Sequence, residues 1–191
     1  MYKRQDEHLA GDKAAITLQR LDAAALLWRV HLLGADVGSR WDDLAVGWDW
    51  SPASVGHSAF NDVHAMLVRI GQGRLSDAAQ LTEAAQARAG ERSDSNAQMT
   101  REVGLPLMRG LLAYAEGRCA DAWRLIAPVR GIAHRFGGSH AQRDLITQTL
   151  LACAAEHQST GEALLAERAQ TKAHTPLTLH WKRRLEHHRY S

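Results

Sequence analysis

The hexapeptide Gly-Arg-x-x-Asp-Ala occurs twice, at residues 73–78 and 117–122, 44 residues apart. Each copy joins one apolar-periodic stretch to another. A glycine between two such stretches is the signature of a helix hairpin, and a hairpin that recurs at fixed spacing is a structural repeat. Before the first turn, Val63, Met66, Leu67 and Ile70 recur at three and four residues; after it, Ala78, Leu81 and Ala85 do so. Leu107, Leu111 and Tyr114 stand 44 residues beyond Val63, Leu67 and Ile70, and Trp123, Ile126 and Val129 follow the second turn. A single amphipathic hairpin cannot bury its own apolar face, so repeated ones stack.

The remaining segments also read as helices. Asp22 is taken as the N-cap of a helix carrying Leu26, Leu27, Val30 and Leu33, and Gly34 as its stop. Ser39 opens a short second helix with Asp42 at its third position. Residues 48–56 carry the Pro, Gly and Ser of a loop, and residues 87–96 the polar composition of a connector. Pro128 is expected to kink or divide its helix. A third, weaker hairpin runs from Ser139, with its turn at residues 158–161 and Ala163 in the place of Ala122. Thr175-Pro176 caps a last helix with Leu177, Trp181 and Leu185 on one side. The expected fold is all-α: irregular tetratricopeptide-like hairpins at about 22–47, 58–88, 105–136 and 139–171, stacked as an α-solenoid and covered by a capping helix at 176–189.

Composition narrows the class. With 45% apolar and 23% charged residues, the chain has the make-up of a globular domain. No apolar run is longer than that at residues 23–28, which falls far short of the roughly 18 needed to span a membrane. No apolar segment follows the N-terminus as a signal peptide requires, so a cytoplasmic location is expected. Residues 1–5, Met-Tyr-Lys-Arg-Gln, are what a transposase sequencing adapter encodes when read from a GTG start; they imply a chain that naturally begins further upstream. Cys119 and Cys153 sit in helical patterns without a Cys-x-x-Cys partner, which leaves them as small apolar residues. A formal charge of +2 points away from nucleic acid as a partner of the whole chain. The charge is uneven, since residues 168–191 carry six Lys and Arg against Glu186 alone.

Three polar clusters are the site candidates. Asn61, Asp62 and His64 lie early in an otherwise apolar helix, where they are either interhelix hydrogen-bonding groups or an acid–base pair. His57, Asn61 and His64 have helical spacing, but no second acidic ligand stands at matching spacing, so no metal and no cofactor is assigned. Gln142, Arg143 and Asp144 follow Ser139. Capping explains Gln142, and the helix dipole accommodates Asp144. Arg143 is left over, and is expected to pair inward with a carboxylate of the first repeat, with Asp62 leading. Trp41, Trp48 and Trp50 lie among Asp42, Asp43 and Asp49, either as core or as an aromatic pocket for a cation, and Trp50 is the one that packing explains least.

Several strings go beyond a generic repeat. Leu26-Leu27-Trp28-Arg29-Val30, Asp36-Val37-Gly38-Ser39-Arg40-Trp41, Ala59-Phe60-Asn61-Asp62-Val63-His64, Val103-Gly104-Leu105-Pro106-Leu107 and, most specifically, Gly137-Gly138-Ser139-His140-Ala141-Gln142-Arg143-Asp144 resemble the tetratricopeptide repeat protein 38 family. Leu164-Leu165-Ala166-Glu167-Arg168 and Thr175-Pro176-Leu177-Thr178 extend the resemblance in order, over residues 22–185. It implies an all-helical repeat protein of which this chain is the C-terminal part, and it carries over no established enzymatic function in either direction. The function expected is a helical-repeat interaction module holding a peptide or protein on a concave surface. The alternative is a small-ligand or enzymatic site in a polar pocket between hairpins, built from Asn61, Asp62, His64, Gln142, Arg143 and Asp144.

Overall fold

The two hexapeptides form the same turn. Gly73 and Gly117 have φ of +74° and +76°, a region open to glycine at no steric cost. Gly73 N–H donates to Ile70 O (2.8 Å) and Arg74 N–H to Arg69 O (2.9 Å); Gly117 repeats the first bond to Tyr114 O (3.0 Å) and Arg118 the second to Ala113 O (2.8 Å). Arg74 and Arg118 then share a backbone conformation, φ −87° and ψ 62° against φ −89° and ψ 63°. Each arginine pairs with the aspartate three residues on, Arg74 with Asp77 at 2.8 Å and Arg118 with Asp121 at 2.7 Å. Ala78 and Ala122 are wholly buried where the return helix crosses its partner. Every defined position of the motif therefore has a structural task.

The computed structural model describes residues 13–154 and 158–188, so the adapter-like residues 1–5 lie outside the described residues. Among those described, every regular element is a helix and none is a strand. In order they are α1 (Lys13–Leu32), α2 (Arg40–Ala45), α3 (Ala59–Gly71), α4 (Leu75–Glu91), α5 (Ser95–Met99), α6 (Leu105–Ala115), α7 (Cys119–Arg130), α8 (His140–Cys153), α9 (Gln158–Lys172) and α10 (Pro176–His188). A π-helical stretch, Thr100–Gly104, joins α5 to α6, and short 3₁₀ turns lie at Pro52–Ser54 and Ala133–Phe136.

Helices α3 and α4, α6 and α7, and α8 and α9 pack as consecutive pairs. Between pairs, α4 meets α6 and α7 meets α8. Tightness at the α6–α7 crossing comes from Gly110, where a Cβ would stand 2.4 Å from Ile126 Cγ1. Helix α1 does not extend this order; it lies against α3 and α8. Trp28 is its anchor, fully buried, with Nε1 donating to Thr149 Oγ1 (2.9 Å) on α8 and its ring edge-on to Tyr114 of α6. At the far end, Arg184 of α10 donates to Leu32 O at the end of α1 (2.9 Å). First and last helices thus meet.

Several local expectations change. Helix α1 starts at Lys13, and Asp22 is an exposed mid-helix residue, because residues 13–33 contain neither Gly nor Pro to interrupt it. Leu27 and Trp28 are buried and Leu26 and Val30 half-buried. The Ser39 hydroxyl donates to Asp43 instead of capping α2 (3.1 Å). Helix α4 runs to Glu91, through the first half of the expected connector, and α5 begins at Ser95 within its end. Pro128 sits in the last turn of α7, where the helix ends two residues later without being divided. Residues 158–161, expected as a turn, lie within α9, and residues 155–157 lie outside the described residues. Gly161 serves packing instead, with a Cβ there 2.5 Å from Ala154 Cβ, and Ala163 is exposed.

Candidate functional site

The Gly137-Gly138-Ser139 segment sets the start of α8. Ser139 Oγ accepts from Gln142 N–H (3.2 Å) and Gln142 Oε1 accepts from Ser139 N–H (2.6 Å), a reciprocal cap. Gly138, at φ +80°, lies against Phe60 of α3; a Cβ would fall 2.3 Å from Phe60 Cε2. This loop is therefore the point where the third pair meets the first. Arg143 does not reach Asp62. Its Nη1 donates back to Gly137 O (3.3 Å) and Gly138 O, because in the first turn of α8 the side chain folds over the loop that precedes it.

The buried ion pair lies one residue further on. Asp144 Oδ1 receives Arg168 Nη1 of α9 at 2.5 Å, with side chains only 10% and 5% exposed. Gln148 Nε2 donates to Asp144 Oδ2 (2.6 Å), and Trp181 Nε1 of α10 donates to Gln148 Oε1 (3.1 Å). Arg168 Nε reaches Thr178 Oγ1 (3.3 Å), whose backbone N–H is capped by Thr175 Oγ1 (3.2 Å). Lys172 Nζ stands 3.8 Å from the same carboxylate. Burial works against the charge on Asp144, but hydrogen bonds from Arg168 and Gln148 and the nearby cations outweigh it and hold the carboxyl below the usual carboxylate range. Sequence reasoning missed Arg168, Gln148, Thr178 and Trp181. The i,i+4 spacing of Asp144 and Gln148 was a usable signal, whereas Arg168 and Trp181 enter only through tertiary packing.

Above this network opens a cleft of about 630 Å³ between the end of α7, α8 and α9. Arg130, Arg143, Arg168 and Lys172 line it against Asp144 and Glu167, with His134 and His140 at its edge. Glu167 is held by Arg130 (2.9 Å), as Asp144 is by Arg168. Both carboxylates are thus already engaged by this chain's own arginines.

Asn61 and Asp62 line a different cleft, of about 250 Å³, with Arg20, Trp48 and Asp49. Both Asp62 oxygens accept from Gly56 N–H, at 3.2 and 3.1 Å. Burial pushes the Asp62 carboxyl up to about 6, against the pull of that N–H and of Arg88. His64 shares neither cleft's lining. It is buried, with Nδ1 2.7 Å from Phe60 O and its ring 4.3 Å from the Phe60 ring. A carbonyl partner requires the Nδ1–H tautomer, which leaves Nε2 as a buried acceptor that meets no donor. Burial lowers its pKa to about 4, so the imidazole is neutral. The site imagined from Asn61, Asp62, His64, Gln142, Arg143 and Asp144 is therefore split among two clefts, a core and a helix cap.

Trp50 meets a cation from its own chain. The Arg69 guanidinium lies 3.6 Å from the ring centroid, Nε1 donates to Ala45 O (3.0 Å), and Trp48 stacks on it at 5.7 Å. Arg69 is also held by Gln72 and Asp77. His57 is exposed, with Nε2 close to Ala53 O and to Arg88. Among the described residues no three His, Cys, Asp or Glu side chains gather as a metal would require, and no helix is long and apolar enough to cross a membrane. No protein-family model matches the chain, and no solved structure matches it.

Proposed function

We propose that the chain is a cytoplasmic helical-repeat interaction module of the tetratricopeptide kind, related to the tetratricopeptide repeat protein 38 family, that holds a peptide or protein segment. The repeated turn and the packing of each return helix on the next hairpin support the repeat reading. The face built from α3, α6 and α8 carries α1, so the segment is held at the cleft between α7, α8 and α9. That open, long-side-chained cleft is the observation that carries the reading. A photoreactive benzophenone amino acid in place of Thr147, in the cleft, tests it against the same group in place of exposed Glu83 on α4. Crosslinks to one polypeptide segment at position 147 and none at 83 are expected. Equal crosslinking at both, or none at 147, overturns the reading.

A small-ligand reading draws on one observation: an acidic group titrating near 6 beside Asn61 in the smaller cleft. Native mass spectrometry of the purified chain and of Asn61→Ala checks it. A retained small molecule lost in the variant would favour it.

A further inference from the structure

We infer that the cleft between α7, α8 and α9 recognises an acidic peptide segment through Arg143 and Lys172; this rests on the interaction-module reading and gives it a chemistry. The four cations of the lining exceed its two carboxylates, and the excess falls on these two residues. Arg130 and Arg168 each face a carboxylate at ion-pair distance. Arg143 spends Nη1 on two neutral carbonyls, which orient the guanidinium without neutralising it. Lys172, 44% exposed, stands 3.8 Å from a carboxylate that a closer arginine has already taken. The start of α8 adds the positive end of a 14-residue helix beside Arg143.

The form of the cleft favours a chain over a small anion. A small anion needs enclosure to offset its lost translational freedom, whereas here Lys172 is substantially exposed and the cations lie on two different helices. A segment carrying several carboxylates meets such spaced charges together, each contact weak and the sum selective. Like-charged segments are repelled by the same excess.

Fluorescence anisotropy on the full chain tests this with a labelled nonapeptide of alternating Glu and Ala, its Gln counterpart, and inorganic phosphate as competitor. The Glu peptide is expected to bind about tenfold tighter than the Gln peptide, weakening as salt rises. Arg143→Gln and Lys172→Gln should each weaken it about three- to tenfold. Lys182→Gln, exposed on α10 away from this cleft, should leave binding unchanged. Lys172→Gln disturbs no loop, so it remains decisive if Arg143→Gln lowers the melting temperature. Equal binding of Glu and Gln peptides, an equal loss with Lys182→Gln, or displacement by phosphate at matched charge would overturn the inference. Crosslinks at position 147 together with equal Glu and Gln binding would remove the acidic chemistry and leave the module reading standing; absence of crosslinks would remove both.

Discussion

Breaking the Asp144–Arg168 pair should be among the most damaging polar changes in this chain. Both side chains are almost fully buried, so deleting one strands the other's charge in a poorly solvated site, at about 3–5 kcal/mol for complete burial. The two deletions should differ. After Arg168→Ala, Asp144 keeps Gln148 and lies within reach of Lys172, 3.8 Å away, so the loss falls to about 2–4 kcal/mol. Asp144→Ala withdraws the carboxylate from a guanidinium that is 5% exposed, and should cost the full amount. The double variant should be less harmful than the sum, with a coupling of about 1.5–3 kcal/mol. Urea denaturation followed by helical circular dichroism measures all four chains. A half-buried control, Arg143→Ala, should cost under about 1 kcal/mol, because it loses only carbonyl contacts. Acid adds a second signature. The Asp144 carboxyl titrates lower folded than unfolded, so its contribution is present above about pH 4 and is lost as pH falls through the folded value. A coupling within about 0.3 kcal/mol of zero would refute the reasoning, since neighbours in one network should not add independently.

Asp62 and His64 should drive stability in opposite directions between pH 4 and 6. His64 titrates near 4 when folded, so the unfolded chain binds more protons there and stability falls as pH drops from 6.5; Asp62, near 6 when folded, gains stability over the same descent. Asp62→Asn should therefore lose about 2 kcal/mol more than the parent between pH 6.5 and 4.5, and an equal shift of the urea midpoint in both would count against the Asp62 assignment. Gly138→Ala should cost about 2–4 kcal/mol, combining a positive φ with the Phe60 contact, while Gly137→Ala, at φ +100° with nothing nearby, should cost about 1–2. Equal melting temperatures for the two would show that Phe60 does not pin the loop. Ala122→Leu should cost about 1–3 kcal/mol by overpacking the α6–α7 crossing, whereas Ala163→Leu, exposed, should stay within about 0.5; matching denaturation midpoints would refute that distinction.

Much of the site was hidden for a reason visible in particular residues. Ser139, Gln142 and Thr175 act within three residues of themselves, so their caps could be read directly. Arg143 and Asp62 looked like partners because both stand in the first turn of helices expected to stack as neighbouring hairpins. Sequence cannot say which way a helix is rolled, and Asp62 faces Gly56 while Arg143 folds over Gly138. The third repeat was aligned on Gly161 and Ala163, yet one packs against Ala154 and the other is exposed. Glycine supports close helix contact as readily as a turn, and its identity does not say which.

By itself the sequence determined that the described residues are helical, where many of the helices begin or end, and that two turns share one geometry. Those are local properties: apolar spacing, caps and positive-φ glycines act within a turn or two of the chain. Tertiary structure alone decided that α1 lies against α3 and α8, that Arg168 and not Arg143 forms the buried ion pair with Asp144, and that Arg143 turns back onto the loop before α8. Each depends on the relative roll and crossing of helices far apart in sequence. Trp28 and Thr149, 121 residues apart, meet only once the intervening helices have packed.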